Sequence, residues 1–207
     1  MKNNRPKFLM IAVLTLISVG AFAQAQLAIG IKAGPNFANL NTSESVGTNY
    51  KNRTGFHAGA FALIKFSKIG IQPEVLFSQQ GSTFKYSGSP DLKANFSYVN
   101  VPILVKLYTI AGINIHAGPQ FGFLTSAKAE DYDSTTGKVT EQSIKNDIKK
   151  SDVSLALGLG WDLPFGLTID GRYNLGLSDI NSGASTSTIK NQVWQFSIGY
   201  KLIKLGK

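Results

Sequence analysis

His57 and His116 are the only imidazoles in a chain of 207 residues that contains no cysteine. A serine beside either ring would have the base it needs to become a nucleophile, and Ser78, Ser126 and Ser154 are the serines to weigh. That chemistry would make the chain a lipid-modifying hydrolase. No nucleophile elbow and no triad spacing accompanies it, so both histidines are expected to be hydrogen-bonded interior residues.

Metal chemistry lacks its ligands. There is no His-x-His pair, the missing cysteines exclude thiolate sites and disulfides, and "DYDSTTGKVTEQ" at 131–142 offers Asp131, Asp133 and Glu141 without the glycine at the sharp turn of a calcium loop. No phosphate loop or dinucleotide fingerprint is present. The expectation is no catalytic residue, no metal and no cofactor.

The remaining chemistry is charge. "LTIDGRYNLGLSDI" at 167–180 sets Asp170 and Arg172 in an alternating apolar run. Leu167, Ile169, Tyr173, Leu175 and Leu177 share one face, and the two charges share the other with Thr168, Asn174 and Gly176.

That alternation extends through the chain. Eight segments have period two, at about 27–34, 53–66, 69–80, 96–108, 113–126, 151–163, 167–177 and 191–203. Most run well past the usual strand of about 5 or 6 residues and suit a tilted membrane-crossing strand of roughly 9 to 11. The turns at 67–68, 109–112 and 164–166 are short, whereas 35–52, 81–95, 127–150 and 178–190 are long and polar. An even strand count with short turns at one end and long loops at the other predicts an all-β, eight-stranded antiparallel transmembrane β-barrel, its short turns periplasmic and its longer loops extracellular.

Residues 1–23 are set apart from this domain. Lys2, Arg5 and Lys7 precede an apolar run ending in Ala21-Phe22-Ala23, the pattern of a secretory signal peptide cleaved after Ala23. The barrel domain is then 24–207, and removing three basic residues lowers the formal charge from +9 to +6. Without a basic patch interleaved with aromatics, that charge does not indicate a nucleic-acid partner.

The two faces differ in chemistry. One carries Ile, Val, Leu and aromatics, with Phe66, Tyr108, Trp161, Tyr173, Trp194 and Tyr200 expected as lipid-facing girdles. The other is rich in Gly, Ser, Ala and Asn, as suits a narrow polar lumen, and Gly158 and Gly160 there would admit larger side chains from across the barrel. Glu74, Lys106, Asp152, Asp170 and Arg172 are expected to form a structural charge network inside. Glu74 is the preferred partner of Arg172, with Asp170, Asp152 and Asp162 as alternatives. Pro73, Pro102 and Pro119 oppose the strand reading, since each removes a ladder donor; Pro73 and Pro119 point outward on this parity.

"GIKAGPNFANL" (30–40), "GIQPEVLFSQQG" (70–81), "YVNVPILVKLY" (98–108), "HAGPQFGFLTSAK" (116–128) and "DGRYNLGLSDI" (170–180) resemble, in order and spacing, the PorT-like outer membrane protein beta-barrel domain family of the Bacteroidetes. The resemblance covers essentially the whole mature chain. It implies residence in the cell outer membrane, contact with its lipids and insertion by the barrel assembly machinery. "FSIGYKL" at 196–202 resembles the C-terminal pattern that machinery reads, with "IKLGK" following it. The family's namesake implies an accessory role in protein secretion or surface attachment, through a secreted or surface protein bound by the long loops. The expected function is a non-enzymatic barrel with a structural or interaction role; secretion accessory, small-solute channel and lipid-modifying hydrolase are the alternatives.

Overall fold

The computed structural model describes residues 25–42, 49–85, 90, 92–133, 135–146, 148–178 and 189–206. The expected signal peptide, and the tips of three of the four long loops, lie outside these residues.

Nine strands follow in chain order: β1 Ala25–Thr42, β2 Asn49–Phe66, β3 Ile69–Lys85, β4 Leu92–Tyr108, β5 Ile113–Asp133, β6 Lys138–Ser143, β7 Ser151–Asp162, β8 Leu167–Gly176 and β9 Ile189–Leu205. Eight of them close on themselves: neighbours in sequence pair antiparallel, β5 pairs β7, and β9 pairs β1, with Leu27 opposite Leu205 and Thr42 opposite Ile189. No described helix is long and apolar enough to cross a membrane. Closure leaves no open edge in the wall, the condition hydrocarbon imposes on any sheet that spans it.

The long connections are not simple solvated loops. β1, β3 and β5 run on to Thr42, Lys85 and Asp133, so much of what reads as polar loop is strand. The ninth strand, β6, pairs only with the extension of β5, from Lys128 opposite Ser143 to Asp133 opposite Lys138. Alternating charge within 128–143 hides this hairpin from a hydrophobic period. Asp133 closes its tip, Oδ1 accepting from the Thr135 amide at 2.8 Å and Oδ2 from the Thr136 hydroxyl at 2.6 Å. Beyond β6 the chain folds back, and Ile144 and Ile148 pack on Ala94, Phe96, Tyr98, Leu124 and Ala127.

The opposite end is made of tight turns. Ser67 and Ala111 take positive φ, and Gly112 follows at φ 82°, where a Cβ would meet the Asp162 carbonyl oxygen. The three prolines leave the pairing register unchanged on either side of them: Pro73 faces Ile103 while Leu76 faces Asn100, and Pro102 faces Gln120 while Val105 faces Ala117. Register shifts fall elsewhere, at Ile29/Gly30, Asn52/His57 and Ser97/Tyr98.

Facing follows parity. Ile69, Ile71, Val75 and Phe77 are exposed on β3 while Gln72, Glu74, Leu76 and Ser78 are buried, and the other wall strands repeat the scheme. Outward residues stay apolar up to a rim of Thr54, Gln79, Ser97, Thr125, Ser151 and Gln192. From Ile69 to Gln79 is about 34 Å of strand at about 3.4 Å per residue, or about 26 Å of height at a tilt of about 40°. That matches the roughly 25 Å apolar band of a transmembrane barrel.

One aromatic expectation is overturned. Phe66, Trp161, Trp194 and Tyr200 are exposed on the outer wall, but Tyr108 is 6 % exposed and turned inward. It shares parity with Leu104 and Lys106, and its hydroxyl donates to Asp162 Oδ2 at 2.8 Å. A phenol that ends on a carboxylate belongs to the interior, whatever its distance from the strand end.

Candidate functional site

The chemistry-bearing side chains converge inside the barrel because β1, β3, β8 and β9 each place polar residues on the inward parity. At mid-height Lys32 Nζ donates to Asp170 Oδ2 at 2.6 Å and to Glu74 Oε1 at 3.3 Å. Arg172 Nη2 donates to Glu74 Oε2 at 2.8 Å, and its Nε to Gln195 Oε1 at 2.9 Å. Two cations and two carboxylates face one another with the Arg172 side chain fully buried. The room for it comes from Gly158, where a Cβ would collide with His116 Nε2 and lie 2.7 Å from Arg172 Cβ.

A neutral network continues toward the hairpin end. Gln195 Nε2 donates to Asn36 Oδ1 at 3.0 Å, and Asn36 Nδ2 donates to Ser78 Oγ and to the carbonyls of Phe56 and Gln79 at 2.9 to 3.0 Å. Those two carbonyls flank the register shift of β2 on β3, so Asn36 satisfies backbone groups that the ladder leaves unpaired there.

His57 is clamped between Asn36 Oδ1 at Nδ1 and Ser197 Oγ at Nε2, both 2.7 Å away. This is the geometry of a nucleophile, a base and an orienting amide, formed by none of Ser78, Ser126 or Ser154. All three side chains are buried, His57 and Asn36 completely. Among the described residues His116 Nδ1 meets Asn114 Oδ1, at 3.3 Å, and its Nε2 has no partner.

At the turn end a second cluster surrounds Asp162. Lys106 Nζ reaches its Oδ1 at 3.1 Å, Lys201 Nζ its Oδ2 at 2.7 Å, and Tyr108 its Oδ2. Lys65 Nζ lies 4.0 Å from the Tyr108 ring centroid, a cation–π contact. Gln72 joins the clusters, donating to Glu74 Oε1 at 2.7 Å and accepting from Lys106 Nζ at 3.2 Å.

Of the five residues singled out in the sequence, Glu74 and Arg172 meet directly, Asp170 joins them through Lys32, and Lys106 reaches them through Gln72. Asp152 stands apart, accepting from Asn191 Nδ2 at 3.2 Å. Lys32, Asn36, Gln195, Ser197, Lys201 and Tyr108 complete the site. Lys32, Lys201 and Gln195 carried a usable signal, being polar on inward parity. No group of His, Asp and Glu able to hold a metal ion occurs among the described residues.

Residues 22–182 match the family described as outer membrane protein beta-barrel domain. The chain belongs to that family. No curated protein matches it. Solved structures match through the fold: Ail, the attachment invasion locus protein of Yersinia pestis, in complex with the heparin analogue sucrose octasulfate, at 17% identity over 86% of this chain and 99% of that one (TM-score 0.51). Neisserial surface protein A is similar at 11% identity over 84% and 97%, also with a TM-score of 0.51. This member of the family therefore resides in the outer membrane. Its tight turns face the periplasm, the Asp162 cluster lies at the periplasmic mouth, and the β5–β6 hairpin stands outside the cell.

Proposed function

We propose that this chain is a non-catalytic outer-membrane barrel that works by engaging a protein partner through its extracellular hairpins, the buried charges serving only to hold the wall together. The observation that carries this reading is the filled lumen beneath projecting strands. Lys32, Glu74, Asp170, Arg172, Gln195, Asn36 and His57 bond to one another across the interior, and Ile144 and Ile148 cover the apolar residues above them. An eight-stranded barrel is about wide enough for its own side chains, which argues against solute passage. What the molecule offers outward is β5–β6 and the neighbouring strand extensions.

Burial also argues against hydrolysis by Ser197, because a lipid carbonyl has no route to a hydroxyl that is 2% exposed. A fluorophosphonate probe is expected to leave Ser197 unlabelled in the folded barrel. Residues 1–23 act, on the same proposal, as the export signal, and the barrel assembly machinery inserts the mature domain. The PorT-like stretches support secretion or surface attachment as the setting.

Crosslinking in intact cells from a photoreactive residue at Val139, exposed on β6, is expected to capture one reproducible protein. No partner above background, or discrete conductance steps in planar bilayers, would overturn the reading.

A further inference from the structure

We propose that the outer wall of β3, β4 and β5, at the extracellular limit of the apolar band, holds the headgroup of an anionic glycolipid of the outer leaflet. The pairing registers stack this wall in rungs. Phe77, Val99 and Phe123 form the last apolar rung, Phe77 opposite Val99 and Val99 opposite Phe123. Above it Gln79 faces Ser97 and Ser97 faces Ser126; above that Gly81 faces Asn95 and Asn95 faces Lys128. Successive outward rungs are about 7 Å apart along the strand, so acyl chains on the first place a headgroup against the next two.

A cleft of about 270 Å³ opens there, lined by Arg53 and Lys128, by the polar side chains of Gln79, Asn95, Ser97 and Ser126, and at its floor by the buried Gln80 and Phe96. Other hollows on the wall are apolar, such as the one between Ile31, Ala33, Ala58 and Ile198. Arg53 comes from the register shift in β2, and its Nη1 donates to the Ala94 carbonyl at 3.1 Å, which fixes the guanidinium at the wall. Lys128 is half-exposed and pairs with Glu141 at 2.7 Å. Glu130, the other acid nearby, accepts from the Lys93 amide.

The donor set selects the class. Arg53 and Lys128 suit phosphate or carboxylate. Three amides and two hydroxyls suit sugar hydroxyls, and Asn95 Oδ1 has no donor among the described residues. Phosphatidylethanolamine supplies a phosphate without hydroxyls, and phosphatidylglycerol adds only the two hydroxyls of one flexible glycerol in place of a sugar ring. Glu141 competes with the bound anion for Lys128.

The test is native mass spectrometry of the full barrel released from detergent micelles, titrated with monophosphoryl lipid A, phosphatidylglycerol or phosphatidylethanolamine. Lipid A is expected to be retained at concentrations at least about tenfold below either phospholipid. Combining Arg53→Gln with Lys128→Gln should abolish that preference, Glu141→Gln should strengthen it, and Ser97→Val with Gln79→Leu should weaken it without removing charge. Heat-modifiable migration in gels establishes that each variant is folded. Equal retention of phosphatidylglycerol, or indifference of lipid A to these substitutions in folded barrels, would overturn the proposal.

Discussion

Arg172–Glu74 in the lumen and Lys128–Glu141 on the β5–β6 hairpin are ion pairs of almost the same length, 2.8 and 2.7 Å. Their surroundings are opposite, with side-chain exposures of 0%/0% inside and 51%/43% outside. Water can replace either partner on the hairpin, and holding two long side chains together there costs entropy. Inside, each charge has lost its water and depends on the other. The same contact is thus expected to cost much stability when one partner is removed in the lumen and almost none on the hairpin.

Arg172→Ala should break the inner pair most severely. Glu74 and Asp170 would be left with Lys32 alone, and a loss of about 3 to 5 kcal/mol is expected for an uncompensated buried charge, read as a lower urea midpoint and a lower temperature of heat modification. An unchanged midpoint would erase the distinction between the regions. Replacing both partners, Arg172→Met with Glu74→Leu, leaves Lys32 and Asp170 balanced and should restore most of that loss. A double variant as unstable as the single one would mean that packing, not charge, is at stake.

Asp162→Asn tests an intermediate case at the periplasmic mouth. Lys106 and Lys201 lose their carboxylate near water, and about 1 to 3 kcal/mol is expected in the same urea titration. On the hairpin, Lys128→Ala should leave the unfolding midpoint unmoved. Lys128 beside Glu141 holds its carboxyl below the usual range, with Asn95 assisting. A carboxyl lowered in the fold stabilises above its unfolded pKa, and that contribution vanishes as pH falls through the lowered value. Amide protection in β6, taken relative to the intrinsic exchange rate at each pH, should therefore fall only on acidification past the ordinary carboxylate range, while the wall stays protected.

The wall was legible because its residues obey one period: Val153, Leu155, Leu157 and Leu159 against Asp152, Ser154, Ala156 and Gly158 state both faces at once. The hairpin was not, because Lys128, Glu130, Glu141 and their neighbours are polar on both faces and bury nothing. Tyr108 suits a girdle as an aromatic near a strand end, but its parity and its bond to Asp162 turn it inward. The inward placing of Glu74, Asp170 and Arg172 follows from alternation, but Lys32 with Asp170, or His57 with Ser197, depends on register around a closed ring. No local pattern encodes which residues lie across that ring.

The seam between β1 and β9 makes the order of assembly matter. Leu27 must wait for Leu205, almost the entire described chain later, before the first strand gains its second neighbour. Contacts this distant in sequence make closure slow. Until β8 arrives, Lys32 and Glu74 have only each other, and the Asp170 and Arg172 contacts that complete the network are still missing. Asp170, Arg172, Gln195 and Ser197 all come from the last two strands of the wall, so the interior bonding is completed by the same event that closes the ring.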